Sequence, residues 1–320
     1  MTISEDRILD VRSQISACKH MGYDSKDIET EIKFRYDISD PTARRYIRLA
    51  KAYGEPEPKT PKILLIDIET SLTTAFVWGP GYGINVLPAD IVEDDPWIII
   101  CYAAKWLLGG EIFGECVTSD EAKRKDDLRV VSTIWDLMEE ADIIIAQNGD
   151  KFDIRKINAR FLSNGFSGPP SSYQTIDTLK QSRKIQSPGS HKQDELAKQF
   201  KLTRKKKTDR ELWVRCYYGE QEALDYMFEY CKGDTETLEG VYLYLRPWMT
   251  SHPNLALFCD SNMEICNHCM AVVDKKRIGY YTTPVNRFPA YRCKCGAILR
   301  GRLSDVTREE RARYLISTAR

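Results

Sequence analysis

Residues 62–66, Lys-Ile-Leu-Leu-Ile, run directly into Asp67-Ile68-Glu69-Thr70. Four apolar side chains in a row read as a buried strand. Successive side chains alternate along a strand, so Asp67 and Glu69 point to the same side at its end. Two carboxylates on one face of a central strand repel each other and are costly to bury. A divalent cation is the usual remedy. The tetrapeptide Asp-Ile-Glu-Thr also occurs at Asp27–Thr30. There it lies between Ser25-Lys26 and Glu31-Ile32-Lys33-Phe34, a polar and apolar alternation that suits a short surface helix. The second copy is the candidate active site and the first is not.

At 320 residues the chain is long for one domain and comfortable for two or three. No apolar run approaches the roughly 18 residues that span a bilayer. The first six residues are acidic and lack a signal-peptide core. The expected location is the cytoplasm, with no membrane partner. The ten cysteines then read as thiols and metal ligands rather than disulfides.

The net charge of zero hides an asymmetry. Residues 61–150 carry 6 basic and 17 acidic side chains, residues 151–258 carry 18 and 13, and residues 259–320 carry 12 and 6. An acidic, metal-binding stretch with basic flanks suits a polyanion partner. Chance variation of surface charge is the bland alternative.

Three pieces and a linker are expected. Residues 1–54 form a helical domain. Ile8, Val11, Ile15 and Cys18 keep helical spacing, and Ser25 can cap a helix holding Ile28, Ile32 and Phe34. Asp40 and Pro41 open a third helix as N-cap and N1. That helix has Ala43, Tyr46, Ile47 and Ala50 on one side and Arg44, Arg45, Arg48 and Lys51 on the other. Three short helices with a basic last helix resemble a helix-turn-helix domain, and Arg44, Arg45 and Arg48 are its candidate nucleic-acid contacts. A small bundle that only packs is the alternative. Residues 55–61 are a Pro-rich linker.

Residues 62–250 form an α/β domain with a mixed sheet. Strands are predicted at 62–67, 97–104, 111–117 and 142–146, with a strand or turn at 174–177. Helices are predicted at 126–140, from about Lys151, and at 220–245. The segment 71–96 reads as a long functional loop or lid. Residues 259–320 hold two cysteine pairs and a basic C-terminal tail that looks helical from Ser304.

Three acidic motifs follow in order: Asp67-Ile68-Glu69, then Asn148-Gly149-Asp150-Lys151-Phe152-Asp153, then Tyr230-Cys231-Lys232-Gly233-Asp234. Tyr230 and Asp234 are four apart and share a helix face. Asp153 sits at a strand-to-helix turn. Asp67, Glu69, Asp153 and Asp234 can therefore converge at one sheet edge and bind two Mg²⁺ or Mn²⁺ ions, as used for in-line phosphodiester cleavage. Tyr230 can orient or help deprotonate the attacking water. Asp150 reads as a turn residue and Asp177 as structural.

These motifs resemble the DEDD superfamily of 3′–5′ exonucleases, which have the ribonuclease H-like fold. Asn148-x-x-x-Phe152-Asp153 and Tyr230-x-x-x-Asp234 look like the second and third exonuclease motifs of family B DNA polymerases. Glu229 stands where the histidine branch has His, so the chain looks like the tyrosine branch. Segments such as Ala75-Phe76-Val77-Trp78 and Ala103-Ala104-Lys105-Trp106 look like stand-alone phage exonucleases that work beside a separate polymerase. The resemblance implies proofreading or repair in a phage or bacterium, with the host cytoplasm as location for a phage protein. It also implies Asn148 and Phe152 as nucleic-acid contacts.

Cys266-x-x-Cys269 and Cys293-x-Cys295-Gly296 resemble a zinc ribbon. Four thiolates would hold one structural Zn²⁺ with no open position; His268 is the minor alternative ligand. Tyr280, Tyr281, Arg287, Tyr291 and Arg292 suit nucleic acid or cover a small zinc-pinned core. Lys205, Lys206 and Lys207 lie in a basic run that reads as a solvated loop or a substrate clamp. Lys105 and Trp106 are weaker substrate contacts. The leading reading is a metal-dependent 3′–5′ exonuclease acting on DNA, with a polymerase or other replication protein as partner. The alternatives are an exoribonuclease with the same chemistry, and a DNA-binding regulator or replication adaptor built on the helical domain and ribbon.

Overall fold

The computed structural model describes residues 4–20, 23–52, 60–79, 83–92, 95–202, 208–259, 264–274 and 276–314. Lys205, Lys206 and Lys207, most of the Pro-rich linker and the last six residues lie outside them. The chain divides into two compact units, Met1–Lys59 and Thr60–Arg320.

The first unit is three helices: α1 (Glu5–His20), α2 (Ser25–Tyr36) and α3 (Asp40–Ala52). Ile8, Val11, Ile15 and Cys18 of α1 meet Ile28 and Ile32 of α2 and Ala43 and Ala50 of α3 in one small core. Two details differ from the sequence reading. Asp24, not Ser25, caps α2, because its carboxylate accepts the Lys26 and Asp27 amides. Asp27 returns a bond to the Asp24 amide, so the first tetrapeptide copy serves as half of a capping box. Phe34 lies on α2 as expected and is 85% exposed, while α3 starts one residue early, with Asp40 already helical. Arg45 and Arg48 are exposed as expected, while Arg44 pairs with Glu29 at 2.6 Å.

The second unit is built on a five-stranded sheet. Its strands are β1 (Ile63–Thr70), β2 (Ile99–Trp106), β3 (Phe113–Cys116), β4 (Ile143–Ala146) and β5 (Gln174–Asp177). The order is β3-β2-β1-β4-β5. β2 and β3 run antiparallel to their neighbours, and β1, β4 and β5 run parallel to one another. This is a mixed sheet, and the all-buried runs Ile63–Ile66 and Ile143–Ala146 are its centre because both their faces are covered.

Among the described residues seven helices flank the sheet: α4 (Ser119–Arg124), α5 (Leu128–Glu140), α6 (Asp153–Ser163), α7 (Thr178–Ile185), α8 (Gln193–Phe200), α9 (Arg210–Tyr217) and α10 (Gln221–Leu245). Leu64, Ile66 and Ile68 of β1 pack with Val131, Ile134 and Met138 of α5 and with Ile157 and Phe161 of α6. Ile63 and Leu65, on the opposite face, pack with Leu238, Val241 and Tyr242 of α10. Alternation in β1 thus sends one set of side chains to α5 and α6 and the other to α10. Gly240 lets Leu202 close on α10, since a Cβ there would meet the Leu202 Cδ1 at 2.7 Å. The loop after β1 is pinned by a bridge between Ala75 and Ile91 and by a 3₁₀ turn at Pro88–Asp90.

A second, three-stranded antiparallel sheet follows: β6 (Arg277–Thr282), β7 (Arg287–Arg292) and β8 (Ile298–Arg300). The tail is less helical than its composition suggests. Among the described residues only α11 (Arg308–Arg311) is helical after Ser304, started by a Thr307–Glu310 capping box.

One buried ion pair ties the acidic half together. Arg160 of α6 donates two bonds to the wholly buried Asp127, at 2.8 and 2.7 Å. Asp127 also accepts from the Ile99 amide and from Asn164. Arg160→Ala leaves that carboxylate buried without its cation. It is expected to lower stability by about 3–5 kcal/mol, read from urea unfolding; a loss under about 1 kcal/mol would contradict the account.

Candidate active site

β1 carries its carboxylates out of the core on the α10 face. Asp67 sits opposite Ala103 and Glu69 opposite Cys101. These small neighbours leave the space above the carboxylates to α10. Asp234, one turn beyond Tyr230 on α10, is buried there. Asp67, Glu69 and Asp234 each offer an oxygen within 4.8 Å of the others. Three carboxylates this close, one of them buried, are the donor set of a hard divalent cation. Their mutual repulsion is what such a cation relieves.

Other side chains hold this group in place. The Cys231 thiol lies 3.3 Å from the Asp67 carbonyl and 3.5 Å from its Oδ2. Gln193 donates to the Asp234 carbonyl at 2.6 Å. The Tyr230 phenol is pushed far above its usual range, first by burial, then by the Asp234 and Glu69 charges and its hydrogen bond to Asp234. Trp213 meets the Tyr230 ring edge-on, with centroids 6.4 Å apart.

Asp153 lies in the same cleft but outside the group of three. It is the first residue of α6, and its Oδ1 is 3.4 Å from the Ile68 amide. Burial, with a smaller push from Asp177, moves its carboxyl up to about 7. The four acidic residues therefore reach one cleft, and three of them form the tight cluster.

The turn that delivers Asp153 explains the second motif. Asn148 takes a left-handed conformation with φ 64°, and its amide donates to Asp177. A Cβ on Gly149 would stand 2.4 Å from the Ala146 side chain, so only glycine fits. Asp177 caps α7 through the Leu179 and Lys180 amides, and Asp150 pairs with Lys180 at 2.6 Å. The structural reading of Asp150 and Asp177 thus has concrete partners. Phe152, 39% exposed, lines the cleft, whereas Asn148 acts at the turn beneath it.

The cleft has a volume near 780 Å³. Arg183, His191, Lys192, Gln193 and Trp213 line it and were not singled out from the sequence. Arg183 lies on α7, Gln193 on α8 and Trp213 on α9, while His191 and Lys192 lie between α7 and α8; short polar segments of this kind gave no helix signal from sequence. The caps Asp177 and Asp209 were the available signal. Lys105 and Trp106 do not line it. Lys105 pairs with Glu239 of α10 at 2.6 Å, both largely buried, and Trp106 packs on the core with Lys62 over its ring. They brace the sheet instead of meeting a substrate. Glu229 pairs with Lys232 and also does not line the cleft.

The second candidate site is the cysteine cluster. Cys266, Cys269, Cys293 and Cys295 lie within 4.8 Å of one another, with Cys266–Cys295 and Cys269–Cys293 sulfur separations of 3.8 and 3.5 Å. Sulfurs about 2.3 Å from a central Zn²⁺ lie about 3.8 Å apart in a tetrahedron, so the set fits that ion. His268 stacks on His252 at 4.7 Å and gives only its amide to the Cys266 sulfur. It is a neighbour of the cluster, not a member.

A protein family described as the RNase_H superfamily matches residues 107–246. The match contains Asp153, Tyr230 and Asp234 and begins after Asp67 and Glu69. The fold is RNase H-like. With the carboxylate cluster, the match supports a nuclease. Among solved structures, the chain is similar to the family B DNA polymerase from the hyperthermophilic archaeon Pyrobaculum calidifontis. The identity is 17%, the TM-score 0.42, and the alignment covers 58% of this chain and 25% of that one. The chain thus spans about a quarter of that polymerase. No curated protein matches. Among the described residues no helix is long and apolar enough to cross a membrane.

The purified chain is expected to hold one equivalent of zinc by atomic emission. Cys266→Ser with Cys293→Ser should lose it. Retention of zinc by that double variant would remove the cluster from consideration.

Proposed function

We propose that this chain is a divalent-metal-dependent 3′–5′ exonuclease that hydrolyses DNA, of the tyrosine branch of the DEDD group. The observation that carries the reading is the meeting of Asp67 and Glu69 from β1 with Asp234 from α10 in an open cleft that also contains Tyr230 and Asp153. The 3′–5′ polarity and the choice of DNA rest on the resemblance of the three motifs.

Asp67, Glu69 and Asp234 would hold one Mg²⁺ or Mn²⁺, and Asp153, with Asp67, would support a second. Such ions supply Lewis-acid activation of water and neutralise charge building on the scissile phosphate. The chain itself positions the reactants. Tyr230, fixed against Asp234 and Trp213, orients the attacking water through its hydroxyl. Gln193 and Cys231 hold the carboxylates in register. Phe152 offers a ring face to a terminal base. Arg183 and Lys192 offset the phosphates of the strand, which suits a cleft whose floor is acidic. In this reading the zinc cluster is structural, because four sulfur ligands leave no position for water. Replication proofreading or repair beside a polymerase is the proposed setting.

The test is digestion of end-labelled single-stranded and duplex DNA and RNA with Mg²⁺ or Mn²⁺. Mononucleotides should appear from the 3′ end of DNA. Asp67→Ala and Asp234→Ala should each cut the rate by at least about 10³-fold, roughly 4 kcal/mol in the barrier. Asp27→Ala, the same tetrapeptide in a helix cap, should leave the rate within about twofold. Equal rates for the Asp67 variant and the parent would sink the assignment. Release from the 5′ end, or from RNA alone, would replace the polarity or the substrate while keeping the chemistry.

A further inference from the structure

A cavity larger than the carboxylate cleft lies elsewhere in the second unit. It is a groove of about 1120 Å³ between the three-stranded sheet and the chain that follows α10. Pro247–Thr250 and Asn254 form one wall. Tyr281, Arg292, Ile298, Arg300 and Arg302 form the other. Among the described residues no carboxylate lines it.

The register of the sheet explains this composition. Tyr281 lies opposite Phe288, Ala290 opposite Arg300, and Arg292 opposite Ile298. Directly opposed residues share a face, so rings and guanidinium groups gather on one side of the sheet. Arg300 stands over Phe288 at 4.6 Å and over Tyr281 at 5.4 Å. Across the groove Trp248 is 71% exposed, and Tyr281 on the near side is 50% exposed. These are large apolar surfaces left in water beside fixed cations. Residues 276–302 carry seven Lys and Arg side chains and no Asp or Glu. None of Arg292, Arg300 and Arg302 is ion-paired with a described carboxylate. The cluster holds the wall in place: Gly296, in the knuckle after Cys295, sits against the Pro247 ring.

We propose that this groove is a second binding site, for single-stranded nucleic acid. Arginines serve the phosphates, and Trp248 and Tyr281 offer faces on which bases stack. The stacking element separates this ligand from a duplex, whose base faces are closed to side chains, and from an acidic protein, which has no such faces. α10 links the two sites: Asp234 and Leu245 are about 17 Å apart along its axis at 1.5 Å per residue. A strand of several nucleotides has the length to span that axial separation. The role in catalysis rests on the nuclease reading, whereas the binding itself does not.

Two double variants of the full chain test it, Arg292→Ala/Arg300→Ala and Trp248→Ala/Tyr281→Ala, each checked for retained zinc and unchanged melting. Binding of fluorescein-labelled (dT)20 is followed by anisotropy without added Mg²⁺ or Mn²⁺, across a salt series. Both variants should bind at least about tenfold more weakly. The arginine variant should lower the salt slope by about 0.7 per cation removed, and the aromatic variant should leave that slope unchanged. Mn²⁺-dependent hydrolysis of thymidine 5′-p-nitrophenyl phosphate, which fits the cleft alone, should stay within about twofold of the parent. Parent-like binding of (dT)20 by both variants would overturn the proposal. So would a loss confined to blunt duplex. If the parent itself fails to hydrolyse the nitrophenyl ester, the nuclease reading falls, while the binding curves still decide the groove.

Discussion

Repulsion among carboxylates at the end of a buried strand is the constraint around which the second unit is arranged. β1 can bring Asp67 and Glu69 to the sheet edge only because Ile63–Ile66 hold it at the centre, covered on both faces. Once there, the pair meets a third carboxylate, Asp234 of α10. Lys105, the nearest lysine on β2, is committed to Glu239 instead. Three carboxylates gathered this closely repel one another, and a divalent ion relieves that repulsion. Asp153, held apart at the start of α6, feels the same burial and has its carboxyl pushed up.

α10 carries the consequence through the molecule. Its middle supplies Tyr230 and Asp234, its second half packs Leu238, Val241 and Tyr242 on β1 and β4, and its end leads into the wall of the arginine-lined groove. One rigid helix therefore sets the distance between the two concave sites. The cysteine cluster does for the small sheet what the apolar core does for the large one. β6 is exposed along almost all of its length and has little core of its own, so four sulfurs close enough to share one ion suit it as an anchor.

Much of this was legible in advance. The central strands are wholly apolar and α10 is long, so both stand out in the sequence. The motifs gained meaning from being placed after those elements. The eight-residue helices α7, α8 and α9 were not legible, because such short polar segments are helical mainly through the surface they pack against. With them went Arg183, His191, Lys192 and Gln193, which line the cleft. The helix caps were misread by one residue, Ser25 for Asp24, since both types can cap and only the backbone geometry decides. Lys105 was misread as a substrate contact, because its partner Glu239 lies far along the chain.

The repeated tetrapeptide separates the two levels. Local sequence determined that Asp27–Thr30 belongs to a helix and Asp67–Thr70 to a strand, since flanking polarity and apolar runs set the period of each. It also determined which cysteines can cluster and that Asp67 and Glu69 share a face. Tertiary structure alone decided that Asp234 completes their group while Asp153 stands aside. It likewise decided that Tyr281, Arg292 and Arg300 gather opposite Trp248. Those choices depend on strand register and on where α10 crosses the sheet, and both are set by packing between residues distant in sequence.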